Sequence, residues 1–556
     1  MDVTTTAALA APLTGTMVRA VGDTVPVRVA VSRLRELGCE IERVGGASPG
    51  PGAAGRIDLV TGPAGPDPGC DITWSTPSVP LTGERDVQAA CGLAHLHGRA
   101  RGRDRFLSID YASVCAGVLA TQAVLAAKLT LERGGPALRG SLSVAGAALM
   151  AVAPYVAEAT ATRGTPAVES TGQVPPFRSS DGVLFEIETL DPEAWLLFWR
   201  TLGAPMEAIA TGWAPFQRRF ATAVCPLPGA LFDTLAARSF ALVRDIAGEC
   251  AVGAVPLRSP GENTEEGPAS PGRLRGLDAT PGPSLPPWSQ SGTGPLSGLR
   301  LVEATNRVQG PLAGSVLTLL GTDTVRVEPP GGDPMRGVPP LAGGISARFA
   351  AFNRGKDAVE CDLRSTEGRR AAGELAARGH VLLYNWPPGR AERFGLGVDD
   401  LMAGAPGLVH VHAEGWAGAE PGPGAPATDF SVQAHGGIAD LLADDDTGPA
   451  PSLVTLTDVL GALLAAEAAL AGLLLRARTG VGVAGRTALV DAARLLRWAG
   501  RGRARSNGGG TPPVADPETV ARTFPEAFTR RHGVSLPRAP WTFAPLDGPL
   551  DGKARR

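Results

Sequence analysis

The chain of 556 residues carries 52 basic and 55 acidic side chains, a formal net charge of -3, and 44% hydrophobic residues. That length allows about two to four domains with sizeable cores, and the near balance of charge argues against a nucleic-acid binder and against electrostatic attachment to an anionic membrane. The seven cysteines (Cys39, Cys70, Cys91, Cys115, Cys225, Cys250 and Cys361) are scattered, odd in number and never spaced as a Cys-x-x-Cys pair, which speaks against a disulfide framework or a zinc ribbon and for reduced thiols in a reducing compartment.

The first residues, MDVTTTAALAAPLTG, lack the basic start of a signal peptide. The longest apolar stretch, 459–475, is interrupted by Glu467 and is short for a membrane span, so a soluble, cytoplasmic protein is expected. Residues 1–258 form an N-terminal half, in which 175–258, opening with PPFRSSDGVLFEIETLDPEAWLLFWRTLG, reads as a small domain. Pro, Gly, Ser and Glu dominate 259–299 without apolar periodicity, which marks a linker.

The C-terminal half, 300–500, alternates. LRLVEAT, TDTVRVEPPGGD, HVLLYNW and GLVHVHAEGW read as strands, and GPLAGSVLTLLG, EGRRAAGELAARG and GVDDLMAGAP as the helices between them. This predicts parallel βαβ units in an open α/β sheet. Asp458 stands at the front of a helical run that reaches about Leu475, a place where an acid serves as an N-cap. After a second irregular stretch, 500–517, the tail to 556 is polar with one helix near 517–530.

The two halves repeat each other. VRAVGDTVPVRVAVSRLRELGCEIERV (18–44) parallels VEATNRVQGPLAGSVLTLLGTDTVRVE (302–328), with Pro26 opposite Pro311 and a two-residue gap. SVCAGVLATQAVLAAKLTLER (113–133) tracks DVLGALLAAEAALAGLLLRAR (458–478) without a gap, and both pairs keep the same order. Ser113 then stands opposite Asp458, although Asp110 would supply an acid if the register slipped.

NRVQGPLAGSVLTLLGTDTVRVEPPGGDPMRG, FAAFNRGKDAVECDLRSTEGRRAAGELAARGHVLLYNWPPGRAERFGLG, TDFSVQAHGG and LTDVLGALLAAEAALAGLLLRARTGVG, taken in this order over about 300–490, resemble the class III CoA-transferases, the CaiB/BaiF-type family of formyl-CoA and carnitine CoA-transferases and α-methylacyl-CoA racemases. The resemblance implies a Rossmann-like large domain, a smaller α+β domain and interlocked dimers. With two homologous halves in one chain, the N-terminal one shortened and silent, it implies an internally complemented pseudo-dimer, monomeric or again dimeric.

It further implies that Asp458 is the nucleophile that takes an acyl group from an acyl-CoA and hands coenzyme A to a small carboxylic acid, through a mixed anhydride and an aspartyl-CoA thioester, with no metal. A helix start would help to keep that carboxylate charged. Val308, Gln309, Cys361, Arg364, Asn385, Trp386 and Arg393 match positions along the family's CoA path, the turn at Val308–Gln309 being one residue shorter than in the formyl-CoA branch. Gly508, Gly509 and Gly510 resemble the glycine loop that covers the reactive aspartate.

Bland readings stand beside these. Trp386 serves equally as core, Arg393 as a surface charge, and Arg494, Arg497, Arg501, Arg503 and Arg505 as a solvated helix end. His410 and His412 share one strand face without a third ligand, so they read as structural, and His435 is unassigned. Thr428 stands where racemases place a His before the Asp of the segment matching Asp429, so racemisation lacks its second acid–base partner and transfer is expected ahead of it. The alternatives are a racemase, isomerase or transferase–lyase on the same scaffold, or a catalytically silent CoA-binding partner.

Overall fold

The computed structural model describes residues 11–44, 50, 52–60, 68–161, 172–262, 273–277, 281–290, 292, 294–422, 425–443, 448–499 and 512–546. The C-terminal half contains the four strands its alternation predicts and two more, Asp357–Glu360 and Val483–Ala488. Arg300–Ala304, Asp323–Glu328, Asp357–Glu360, Val381–Tyr384, Val409–Glu414 and Val483–Ala488 form a parallel sheet. In space the strands run third, second, first, fourth, fifth, sixth. Every residue of Val381–Tyr384 and Val409–Glu414 is buried, as a sheet covered by helices on both faces requires. Strand order reverses between Arg300–Ala304 and Val381–Tyr384, and in such sheets ligands bind at this reversal, beyond the carboxyl ends of the strands.

The N-terminal sheet is a mixed variant of the same plan. Its strands lie in the order Glu40–Val44, Met17–Val21, Ala53–Val60, Gly69–Thr73, Leu138–Ser143, Trp541–Pro545. Met17–Val21, the helix Val25–Glu36 and Glu40–Val44 repeat the opening βαβ unit of the other half. Where that half continues through Asp357–Glu360 to Val381–Tyr384, this one has a single antiparallel strand, Ala53–Val60, which keeps the sheet continuous. The helix Tyr111–Glu132 then joins two parallel strands, as Leu456–Thr479 does in the C-terminal half.

These two long helices pack against each other at the centre of the molecule. The Gln122 amide donates to the Leu463 carbonyl at 2.7 Å, and the Tyr111 hydroxyl to that of Leu456 at 3.0 Å. Arg33 closes on Glu467 at 2.6 Å with both side chains buried. Tyr111–Glu132, Val144–Ala161 and Leu456–Thr479 are long and apolar enough to cross a membrane by length and composition, contrary to the expectation of no such segment. In the fold 89%, 78% and 94% of their most apolar windows are buried, and Glu467, a charge in the middle of one of them, has its partner in the other half of the chain.

The small domain carries the antiparallel strands Phe177–Arg178, Leu184–Glu188 and Gly253–Pro256 around an aromatic core that includes Phe177, Phe185, Trp195, Phe198, Trp199 and Phe216. Its last two strands lie on the helix Asp429–His435 of the C-terminal half. The connecting stretch is anchored where it is described: Arg275–Gly276 pairs antiparallel with Val483 and Ala484, and the Arg133 guanidinium donates to the carbonyls of Pro286 and Ser297. At the other end the helix is shorter than expected, Pro517–Thr523. It is followed by the hairpin Phe528–Arg531/Val534–Pro537 and by Trp541–Pro545, which extends the N-terminal sheet beside Leu138–Ser143. Proline at 525, which lacks an amide hydrogen and disfavours a helical residue before it, accounts for the early stop.

Candidate active site at Asp458

Asp458 is the third residue of its helix rather than the cap. The N-cap position belongs to Thr455, whose side chain caps nothing. The orphan amides of this helix end are taken by Asp429: its Oδ1 accepts the main-chain N–H of Thr457 at 2.6 Å, that of Asp458 at 2.8 Å and the Thr457 hydroxyl at 2.7 Å. Gln433, one turn further along the helix that Asp429 opens, donates to Asp429 Oδ2 at 2.5 Å and to the Ser452 carbonyl at 2.9 Å. The Ser452 amide in turn donates to Gln433 at 2.8 Å. This clamp leaves the Asp458 carboxyl, half-buried, unused by the helix.

The electrostatics also differ from expectation. Burial, then the neighbouring Asp429 and Glu188, push the Asp458 carboxyl well above the usual range, against the pull of Arg307. Burial raises Asp429 to about 6 despite its hydrogen bonds. Two acids at one helix end cannot both ionise freely, so the helix start does not by itself keep Asp458 charged.

The N-terminal half holds the same constellation with other residues. Glu84, the first residue of a short helix as Asp429 is, accepts the amides of Ala112 at 3.0 Å and Ser113 at 2.8 Å, the Ser113 hydroxyl at 2.6 Å and the Gln88 amide at 3.0 Å. ERDVQAACG (84–92) and DFSVQAHGG (429–437) keep the gapless register of Ser113 on Asp458, and Gly92 and Gly437 both turn left-handed at φ 82° and 74°. Sequence reasoning missed this pair, although the shared VQA was there to be found. Ser113 is fully buried. Asp110 is the N-cap of its helix and is raised to about 7 by burial and by Glu84.

Three of the residues matched to the family's CoA path, Val308, Gln309 and Asn385, lie together at the strand-order reversal. Gln309 opens the helix after the first strand and donates to the Glu414 carbonyl at 3.2 Å. Its amide nitrogen lies 3.2 Å from where a Cβ on Gly461 would stand, so the turn 306–309 rests on the Asp458 helix through that glycine. Asn385 spans the reversal point: its side chain accepts the Asn306 amide and donates to the Asn306 carbonyl, both at 3.0 Å. Val308 is half-buried between these residues.

Cys361 and Trp386 are buried in one apolar cluster with Tyr384, and Trp386 meets Phe394 edge-on at 5.2 Å. Arg364 and Arg393 are exposed past the carboxyl ends of the same sheet. Gly508, Gly509 and Gly510, with Arg501, Arg503 and Arg505, lie outside the described residues. Arg497 donates to the Gly436 carbonyl at 2.7 Å, a structural bond. His410 and His412 are bonded through Nε2 to the carbonyls of Leu396 and Trp386, at 2.9 and 2.8 Å, with Tyr384 against both rings. His435, lowered to about 4 by burial and by Arg258 and Arg497, meets the Arg258 guanidinium at 3.3 Å.

Two site residues carried no signal in the sequence. Glu188, from the small domain of the N-terminal half, is buried, receives Arg219 at 2.9 Å and the Thr428 hydroxyl on Oε2, and has no hydrogen-bond partner for Oε1 among the described residues. Arg307 is exposed with its backbone left-handed at φ 64°.

The model of CoA-transferase family III matches residues 84–269 and 296–521, one segment in each half and well over half of the chain, and the chain belongs to that family. It is 35% identical over 206 residues to the probable fatty acyl-CoA transferase Rv3272 of Mycobacterium tuberculosis, covering 36% of this chain and 51% of that protein. It is 33% identical over 191 residues to succinyl-CoA:glutarate CoA-transferase of Mus musculus, 34% and 44%. Against acetyl-CoA:oxalate CoA-transferase of Acetobacter aceti it is 30% identical over 245 residues, 42% and 62%. A crystal structure of a CaiB/BaiF family protein from Brucella suis matches at 34% identity and TM-score 0.34, over 36% of this chain and 55% of that one. The chain spans about half the length of the curated relatives it matches.

Proposed function

We propose that this chain moves coenzyme A from an acyl-CoA thioester to a carboxylic acid, with Asp458 as the nucleophile. One observation carries the reading: in a family III chain, Asp429 caps the helix that bears Asp458, which leaves the Asp458 carboxyl uncommitted and under the charge of Arg307 at the strand-order reversal. The ionised carboxylate attacks the thioester carbonyl, giving a mixed anhydride and releasing CoA thiolate. The thiolate attacks the aspartyl carbonyl, freeing the first acid and leaving an aspartyl-CoA thioester. The incoming carboxylate attacks that thioester, forming a second anhydride and the thiolate again. Attack of the thiolate on the new acyl carbonyl gives the product acyl-CoA and restores Asp458. Asn385, Gln309 and Val308 shape the turn against which CoA would lie, and Arg364 and Arg393 supply cations for its phosphates.

In this reading 1–258 is a silent half, 259–299 joins it to the active half at 300–500, and the halves form a pseudo-dimer. Its support is contact across the halves: Trp541–Pro545 edges the N-terminal sheet, Glu188 reaches across to Thr428, and the joining segment edges the C-terminal sheet through Arg275–Gly276.

Incubation with an acyl-CoA and hydroxylamine tests the proposal, beginning with succinyl-CoA and acetyl-CoA, donors in the names of several relatives. Wild type is expected to yield an Asp458 hydroxamate and Asp458→Ala none. Absence of adduct with every donor would instead leave a silent CoA-binding partner. Glu188 favours a second reading: a protonatable carboxyl bonded to Thr428, the residue that stands where racemases have a histidine, would complete an acid–base pair for isomerisation. Deuterium uptake at the α-carbon without acyl transfer would establish it.

A further inference from the structure

Arg307 stands at the reversal point of the C-terminal sheet, two residues before Gln309, whose side chain rests on Gly461 in the Asp458 helix. Asn306, the residue before it, is fixed by both hydrogen bonds of Asn385. Its own backbone is left-handed, φ 64°, a conformation that costs a residue with a Cβ and that concentrates at functional sites. Among the described residues its guanidinium makes no hydrogen bond and no ion pair, although its charge acts on Asp458 and on Glu188. A cation whose only task was to neutralise those acids would close on one of them. This one makes no such contact among the described residues, and its backbone is strained.

We propose that Arg307 makes this chain select dicarboxylic substrates, its guanidinium binding the carboxylate of the acyl group that does not react. The inference rests on the transfer reading above. A guanidinium forks onto a carboxylate through two parallel N–H···O bonds. Such a clamp on the reacting carboxylate would quench its nucleophilicity, so it suits the one that stays. Donor and acceptor acyl groups occupy the same place in turn, hence one residue serves both.

The test uses two thioethers of CoA that Asp458 cannot cleave, carboxypropyl-CoA and butyl-CoA, and measures their dissociation constants by calorimetry on the full chain. Wild type is expected to bind carboxypropyl-CoA about 10- to 100-fold more tightly, the range of a hydrogen-bonded ion pair. Arg307→Asn, a residue that accepts the left-handed backbone, should abolish the difference by weakening carboxypropyl-CoA alone, and Arg307→Lys should retain part of it. A preference that survives Arg307→Asn, an equal loss for both ligands, or no preference in wild type would each overturn the proposal. Because neither thioether reacts, failure of the transfer reading shows separately, as absence of the Asp458 hydroxamate.

Discussion

Asp429 accepts the main-chain amides of both Thr457 and Asp458, so one carboxylate caps the helix while a second, on that same helix, is left for chemistry. Their proximity sets the pH behaviour. Asp458 must ionise to attack, and burial with Asp429 holds it protonated to higher pH than a free aspartate. Hydroxamate formation should therefore rise with pH along the ionisation of Asp458. In Arg307→Asn, which removes the one group that lowers it, the profile should move to higher pH. In Asp429→Asn it should move to lower pH, at a stability loss of about 1 kcal/mol from the weakened cap. Rates of adduct formation across pH 5–9 check both signs.

The same shift is a statement about stability. A carboxyl raised in the folded state binds more protons there than in the unfolded chain, so wild type loses stability as pH rises from about 4, the unfolded value, through the folded one. Asp458→Asn keeps the shape and removes this penalty. Its Tm is expected to exceed that of wild type at pH 8 and to match it near pH 4, each kcal/mol being worth about 1 °C in a chain of this length. Thermal melts at the two pH values decide it; a Tm at pH 8 below wild type would contradict the electrostatic account.

Much of this architecture was legible in the residues, and what was not has definite reasons. Four of the six parallel strands follow from short apolar runs set between amphipathic helices, and the family from the ordered motifs around Asp458; Asp357–Glu360, wholly exposed, and Val483–Ala488, broken by Gly485 and Arg486, offered no such run. Composition could not show that Tyr111–Glu132 and Leu456–Thr479 are core helices that cover each other, because burial in protein and burial in lipid ask for the same side chains. Asp458 looked like a cap because propensity sees only its own helix; Asp429 lies in a different helix and is brought there by folding. Arg307 carried no mark, since a left-handed φ at a residue other than glycine is imposed by its surroundings. Trp541–Pro545 is a strand only because Leu138–Ser143 offers an open edge.

The bridge between Arg33 and Glu467 ties the first helix of the N-terminal half to the long helix of the other, with side chains 1% and 0% exposed. Removing one partner strands a buried charge, at a cost of about 3–5 kcal/mol, whereas replacing both by apolar residues of similar volume is often neutral. Arg33→Met and Glu467→Leu are each expected to lower the denaturation midpoint, and the double variant to recover most of the loss. Urea titration of the four proteins in the cycle measures it. Simple additivity of the two losses would show that the pair is not coupled in this way.

Ser113 answers to Asp458 in position but not in environment. It is fully buried, and its hydroxyl donates to Glu84 at 2.6 Å, where Asp458 has a shorter acid, Asp429, that leaves its carboxyl alone. Glu84 is itself raised by burial and relies on Ser113, Gln88 and two amides for its hydrogen bonds. Ser113→Asp would set a second carboxyl against it in a space closed to solvent, replacing a donor by a repelling group. The variant should therefore lose about 3 kcal/mol or more of stability, as an uncompensated buried charge does, and should show no hydroxamate at position 113. Ser113→Ala, which only removes one donor, is expected to lose about 1–2 kcal/mol and to leave the Asp458 adduct unchanged. Melting curves with peptide mapping of the trapped adduct separate these outcomes; an adduct at 113 would mean that the N-terminal half lacks only the acid and keeps a working site.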